Sequence, residues 1–158
     1  MNINNLNDKI YEVIDYSANV LYIAPPWIEY QPAYTFYTPT MRAAFNPKSG
    51  LIYVNETYID TYLDDENRFD LWLDFSHETR HAWQYYVGMP DADKYITRSN
   101  ANLADYNSQK LEVDAWAWAS LVVQHKFNVR PLLSTLFGGD IDKLVIKQER
   151  KILETWSF

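Results

Sequence analysis

Residues Phe69–Gly88 read FDLWLDFSHETRHAWQYYVG, and the fold turns on how this stretch is taken. As a helix it divides cleanly. At roughly 100° per residue, Asp70, Asp74, His77, His81, Gln84 and Gly88 share one stripe. Leu71, Trp72, Phe75, Ala82, Trp83 and Tyr86 fall on the opposite side, an apolar back for a core. On the polar front, His77 and His81 stand four residues apart and project together. Glu78 lies about 100° round the helix between them. This is the H-E-x-x-H arrangement: two imidazoles able to share one metal ion, and a carboxylate beside the metal that need not bind it. The chain has three histidines, and two of them fall here. Gly88, Met89 and Pro90 stop the helix, and the acidic run Asp64–Asn67 suits its start.

Upstream, Leu6, Ile10, Val13 and Ile14 recur at helical spacing, which predicts a helix over residues 4–17. Asn19–Ala24 (NVLYIA) reads as a short strand closed by Pro25 and Pro26. Trp27–Thr38 is aromatic, interrupted by Pro32, and expected to be irregularly extended. Met41–Phe45 and Leu51–Val54 flank the turn-forming cluster Asn46–Gly50 and predict a hairpin. Asn55 starts a short helix through Tyr58–Leu63.

Downstream, residues 89–104 are rich in Asp, Asn, Ser and Thr without periodicity, and read as a loop. Tyr106–His125 is a helix so apolar that it must be buried on most sides. After a break at Asn128 and Pro131 comes a short piece, Leu132–Phe137. Asp140 is expected to cap a last helix, Ile141–Leu153, with a stripe of Ile141, Leu144, Val145 and Ile152 that Gln148 interrupts. The expectation is one α+β domain over residues 1–158: a short, mostly antiparallel sheet packed on the H-E-x-x-H helix, and a helical C-terminal half.

Composition narrows the function. At 158 residues, 47% hydrophobic and 16% aromatic, the chain can bury one core and is far from disordered. A net charge of −7 argues against a nucleic-acid surface. Cysteine is absent, so disulfides and thiolate metal sites are excluded. The N-terminal MNINNLNDKI lacks the pattern of a signal peptide, and no apolar run is long enough for a bilayer. A soluble, cytoplasmic protein without membrane or nucleic-acid partners is expected.

A catalytic zinc site has three protein ligands and an open position, so two histidines need a third partner. Glu112, Asp114 and His125 are the candidates. Ser108, Ala115, Trp116, Ala119 and Val123 surround Glu112, and the two alanines allow close helix approach. Asp114 faces nearly the other way, four residues from Lys110, and the two are expected to neutralise each other near solvent. His125 shares Asp114's side at the helix end, where a histidine meets the helix dipole. A carboxylate on a packed apolar face is costly unless paired or metal-bound, which favours Glu112, with an internal salt bridge as its competing role.

HETRH followed by Glu112-Val113-Asp114-Ala115 resembles the gluzincin metallopeptidases, in which a glutamate on a downstream helix is the third ligand. The short E-x-x-A form is similar to the compact minigluzincins and the ImmA/IrrE-like proteins. The likeness covers roughly residues 41–125 and is loose outside the two helices. It implies a zincin-like fold, His77, His81 and Glu112 as zinc ligands, and Glu78 as the catalytic glutamate of a peptidase acting on a peptide or protein substrate. The strand LIYVN (51–55) resembles in placement the edge strand that aligns a substrate backbone, so Leu51–Val54 is expected to take a peptide by β-addition. One departure is plain: thermolysin-like gluzincins carry an aspartate four residues after the third ligand, and here that residue is Trp116. The groups that orient the ligands must come from elsewhere, and Asp74, one turn before His77, is the expected one. Tyr95 and Tyr106 are available as donors to an oxyanion. Two other classes fit the same letters: a zincin-fold regulatory or sensing module of a mobile element, and a metal-free, aromatic-rich interaction protein.

Overall fold

A computed structural model of the chain describes residues 3–64, 69–89 and 103–158. In chain order these form helix α1 (Ile3–Leu21), strands β1 (Ile28–Gln31), β2 (Ala43–Asn46) and β3 (Leu51–Asn55), and helices α2 (Ile59–Asp64) and α3 (Phe69–Tyr86). Helices α4 (Leu103–Asn107), α5 (Lys110–Phe127), α6 (Ser134–Phe137) and α7 (Ile141–Leu153) follow. The acidic run before α3 and the loop after it lie largely outside the described residues, and Tyr95 does so entirely.

Burial decides where α1 ends. Leu6, Ile10, Val13, Ile14, Ser17, Ala18 and Leu21 form one buried stripe, so the helical period carries through the residues expected to open a strand. The strand expected at Asn19–Ala24 is therefore absent. Tyr22 turns the chain in the left-handed region (φ 55°), its exposed ring stacked on Trp156. The first strand comes later, at Ile28–Gln31, within the stretch expected to be irregular.

The sheet has the order β1-β3-β2 and is mixed, not mostly antiparallel. The hairpin forms as read, with Ala43 opposite Val54 and Phe45 opposite Ile52. Asn46 Oδ1 accepts the Lys48 N–H at 2.9 Å within the turn, and Gly50 supplies its positive φ of 74°. β1 runs parallel to β3 on the other side, Ile28 opposite Ile52. Leu51–Val54 is thus the central strand with both edges paired, and it cannot receive a peptide by β-addition. Among the described residues the unpaired edge near α3 belongs to β2. Arg42 and Asn55 pair through Asn55 N–H and Arg42 C=O, so alternation turns the backbone groups of Ala43 and Phe45 outward. Asn55 then caps the following turn, its Oδ1 accepting the Thr57 N–H at 3.0 Å.

The helices pack in the sequence α1, α3, α5, α7, with β2 also against α3. Every residue from Leu71 to Arg80 is buried, so the polar front of α3 faces neighbouring elements and not solvent. The Ser17 and Ser76 hydroxyls meet at 3.2 Å between α1 and α3. In α5 the buried run is longer, Leu111 through Val123, and includes two acids. Asn128, at φ 56°, ends that helix with its N–H on the Gln124 carbonyl. In α7, Ile141, Val145, Glu149 and Ile152 face inward, whereas Leu144 is exposed. Asp140 does not cap α7 through its side chain, which pairs with Lys143 at 3.0 Å. The carboxylate that satisfies backbone N–H groups here is Asp142, on Leu133 and Ser134. Among the described residues no helix is long and apolar enough to cross a membrane.

Candidate metal centre

The third candidate ligand arrives because small residues let α5 approach α3: Ala115, Ala117 and Ala119 are completely buried. Glu112 projects from the first turn of α5 onto the two motif histidines and is itself 1% exposed. Its Oε2 lies 3.2 Å from His77 Nε2, and its Oε1 lies 3.3 Å from His81 Nε2. The two Nε2 atoms are 2.9 Å apart. His77, His81 and Glu112 each offer one ligand atom, all within 4.8 Å of one another, and among the described residues they are the group able to hold a metal ion. Two neutral nitrogen donors and a carboxylate suit zinc and other divalent first-row metals.

Charge agrees with that donor set. Burial would raise the Glu112 carboxyl, but the imidazoles of His81 and His77 outweigh it and hold it well below the usual range. Burial pushes His77 down to about 4. Burial also acts downward on His81, yet the Glu112 carboxylate overcomes it and carries His81 up to about 9. The Glu112 carboxylate is thus held ionised against the two imidazoles.

Glu78 stands beside this group, outside it. One oxygen is 3.9 Å from His77 Nε2; the other accepts the outward-facing Phe45 N–H of β2 at 2.6 Å. Burial raises its carboxyl to about 8. A cavity of about 440 Å³ opens from Glu78, His81 and Gln84 along β2, walled by Phe36, Phe45, Tyr85 and Leu111. A smaller one of about 100 Å³ lies on the His77 side, against Asp74, Glu112 and Trp116. Tyr106 lines both.

The other two ligand candidates are elsewhere. Asp114 is not an exposed partner of Lys110: it is 2% exposed and bound to Arg80 of α3 through Arg80 Nε at 2.7 Å and Nη2 at 3.1 Å. His125 is exposed on the far end of α5, its ring between Tyr16 and Phe158. Asp74 does not orient a histidine; it is taken by Arg42 and by the Tyr62 hydroxyl at 2.6 Å. The groups that do touch the imidazoles are different. Gln84 Oε1 lies 2.8 Å from His81 Nδ1. The His77 ring rests on Trp116, centroids 3.9 Å apart, and its Nδ1 has no hydrogen-bond partner among the described residues. Trp116 is steadied in turn by Asn107, whose Oδ1 accepts the indole N–H at 2.9 Å.

Arg80 carried a readable signal. An arginine on a helix buried all round requires an acid, and α5 offers two acids on a helix equally buried. Matching those unpaired charges joins Arg80 to Asp114 and leaves Glu112 for the histidines. Asn107 and the Gln84 contacts depend on side-chain packing that no spacing announces.

No family model, no curated protein and no solved structure matches the chain.

Proposed function

We propose that the chain is a zinc-dependent peptidase of gluzincin type, with a zincin-like arrangement of helices around its site. The observation that carries this reading is the convergence of Glu112, from a separate helix, on His77 and His81, with Glu78 held beside them outside the ligand set. A purely structural metal site needs no such extra buried carboxylate.

His77, His81 and Glu112 would hold the metal. When bound, zinc supplies Lewis acidity, making a water nucleophilic near neutral pH and polarising a carbonyl. Glu78 takes the proton from the attacking water on its carboxylate and passes it to the leaving amine nitrogen. Burial raises its carboxyl and a cation held by the three ligands would lower it, so the two act in opposition on the group that moves the proton. The substrate backbone runs along the free edge of β2, where Ala43 and Phe45 turn their peptide groups outward. A substrate strand there competes with Glu78 for the Phe45 N–H, which frees the carboxylate for water. Side chains of the substrate enter the aromatic-walled 440 Å³ cavity, where Tyr106 is one of several tyrosines on the wall that could serve the oxyanion.

The test is metal content of the purified chain together with cleavage of a peptide library, for wild type and Glu78→Gln. Zinc near one equivalent with cleavage lost in the variant supports the peptidase. Zinc bound with no cleavage in either protein points to the sensing module, and no metal in either rules out both.

A further inference from the structure

Gln84 lies three residues beyond His81 on α3 and is buried. Its amide nitrogen faces two acceptors, the Leu111 carbonyl at 2.9 Å and Asp114 Oδ2 at 2.9 Å. A carbonyl and a carboxylate only accept, so both amide protons point at them, and the flipped amide would set oxygen against oxygen twice. The Oε1 atom is therefore the one that meets His81 Nδ1 at 2.8 Å. Because a carbonyl oxygen cannot donate, His81 Nδ1 must carry a hydrogen. In the neutral imidazole that a metal ligand must be, that is the single hydrogen, and the Nε2 lone pair is left on the side of His77 and Glu112.

The orientation of Gln84 is itself held from behind. Asp114 accepts four hydrogen bonds: two from Arg80, one from Gln84 and one from Gln148 of α7 at 2.8 Å. That uses its full acceptor capacity and leaves no freedom to turn. Arg80 is packed over the Trp83 ring at 3.8 Å, with Trp118 and Trp156 at 5.0 and 5.9 Å. Among the described residues His77 has no comparable chain, and its ring is positioned by the face of Trp116.

We infer that Gln84 is a positioning residue of the metal centre: held by Asp114 and Arg80, its amide oxygen fixes His81 in the Nδ1–H form and presents Nε2 to the metal. This rests on the reading that His77, His81 and Glu112 bind a metal. The consequence is that the C-terminal helix, through Gln148 and Asp114, stabilises a ligand on another helix.

The experiment compares full-length wild type, Gln84→Met and Gln84→Glu, using zinc affinity by chelator competition and the exchange of the His81 Nδ1 proton in nitrogen-15 spectra of the zinc-loaded chain. Methionine keeps the volume and removes the acceptor. We expect about 10- to 100-fold weaker zinc binding and loss of the slowly exchanging Nδ1–H signal. Glutamate keeps an oxygen for His81 and, sharing one proton with the Asp114 carboxylate, keeps the link behind it, so zinc affinity should stay within about threefold of wild type even where stability falls. Zinc binding by Gln84→Met equal to wild type, or equal losses in both variants, overturns the inference. Should Gln84→Met not fold, the wild-type spectrum and Gln84→Glu decide: an unprotected His81 Nδ1 proton in the zinc-loaded wild type overturns it. A wild type that binds no zinc removes the metal reading and this inference together, whereas a failure confined to the variants removes this inference alone.

Discussion

Two arginine–aspartate clusters grip α3, one toward each end. Near its start, Arg42 binds Asp70 at 2.7 Å and Asp74 at 2.9 Å, and Tyr62 donates to Asp74. Two turns further, Arg80 binds Asp114 of α5, which also takes Gln84 and Gln148. The first cluster is part-exposed, with the Asp70 side chain 42% and Arg42 21% accessible; in the second the figures are 4% for Arg80 and 3% for Asp114. The first ties the helix to the sheet and stops there. The second continues through Gln84 into a candidate metal ligand. A buried acid near a metal site is thus no guide to which ligand it serves; the hydrogen-bond chain is.

The largest effect expected concerns Glu78, which sits between the clusters and belongs to neither. Glu78→Gln should lower turnover by about 10²- to 10⁴-fold while leaving zinc affinity and both clusters intact. Its stability effect has the opposite sign. The folded carboxyl sits near 8, above its usual 4.5, so the native state binds the extra proton and loses stability as pH rises between those values. Metal-stripped Glu78→Gln should therefore melt higher than metal-stripped wild type at pH 8, and a lower melting temperature would break this account of the buried carboxylate.

The clusters themselves come next. Arg80→Ala leaves Asp114 charged and buried without its main partner, and should cost about 3–5 kcal/mol. Arg42→Ala should cost less, about 1–3 kcal/mol, because Tyr62 still serves Asp74 and Asp70 is near solvent. Zinc affinity sharpens the contrast: Arg80→Ala weakens it, Arg42→Ala does not. Urea unfolding and chelator competition on the two variants test both halves, and equal effects on zinc would erase the distinction.

Metal removal ranks third. At a thousandfold excess over Kd, zinc should add about 4 kcal/mol to stability. His81→Ala should abolish the dependence of melting temperature on chelator, while Asp74→Asn should keep it. The smallest effect is in pH. Burial lifts Asp74 to about 6 despite Arg42 and Tyr62, so its ionisation lowers stability as pH rises from 3.8 toward 6. At Asp114 burial also acts upward, but Arg80, Gln84 and Gln148 outweigh it and hold the carboxyl below 3.8. Its contribution is complete above 3.8 and is lost as pH falls through the lower folded value. Asp74→Asn should flatten the stability profile between pH 4 and 6, and Asp114→Asn the acid limb below it.

The elements carrying the site were legible because periodicity specified them. Phe69–Tyr86 and Ile141–Leu153 form where apolar spacing places them, and the hairpin forms around its Asn-Pro-Lys-Ser-Gly turn. Asn19–Ala24 misled because its strand-forming letters lie on a helix already committed by Leu6 to Ile14, and Ala18 and Leu21 continue that buried stripe. Asp114 misled because Lys110 is its neighbour along the helix, whereas Arg80, 34 residues earlier, is its neighbour in space. Helical spacing ranks faces of one helix and is blind to which face its partner helix takes. The place of Glu112 beside the two histidines escaped that limit because the alanines near it, Ala115 and Ala119, are small and fully buried.

The contact between His77 and Trp116 gives the candidate centre an optical consequence. The indole ring is 3.9 Å from an imidazole whose charge state and occupancy are what a metal would change. Indole emission is sensitive to charge and electron acceptors in ring contact, so filling or emptying the site should alter the fluorescence of Trp116. Five other tryptophans contribute background, and the difference between wild type and Trp116→Phe isolates the signal. Trp116 would then report, without any added dye, how much of the protein is loaded.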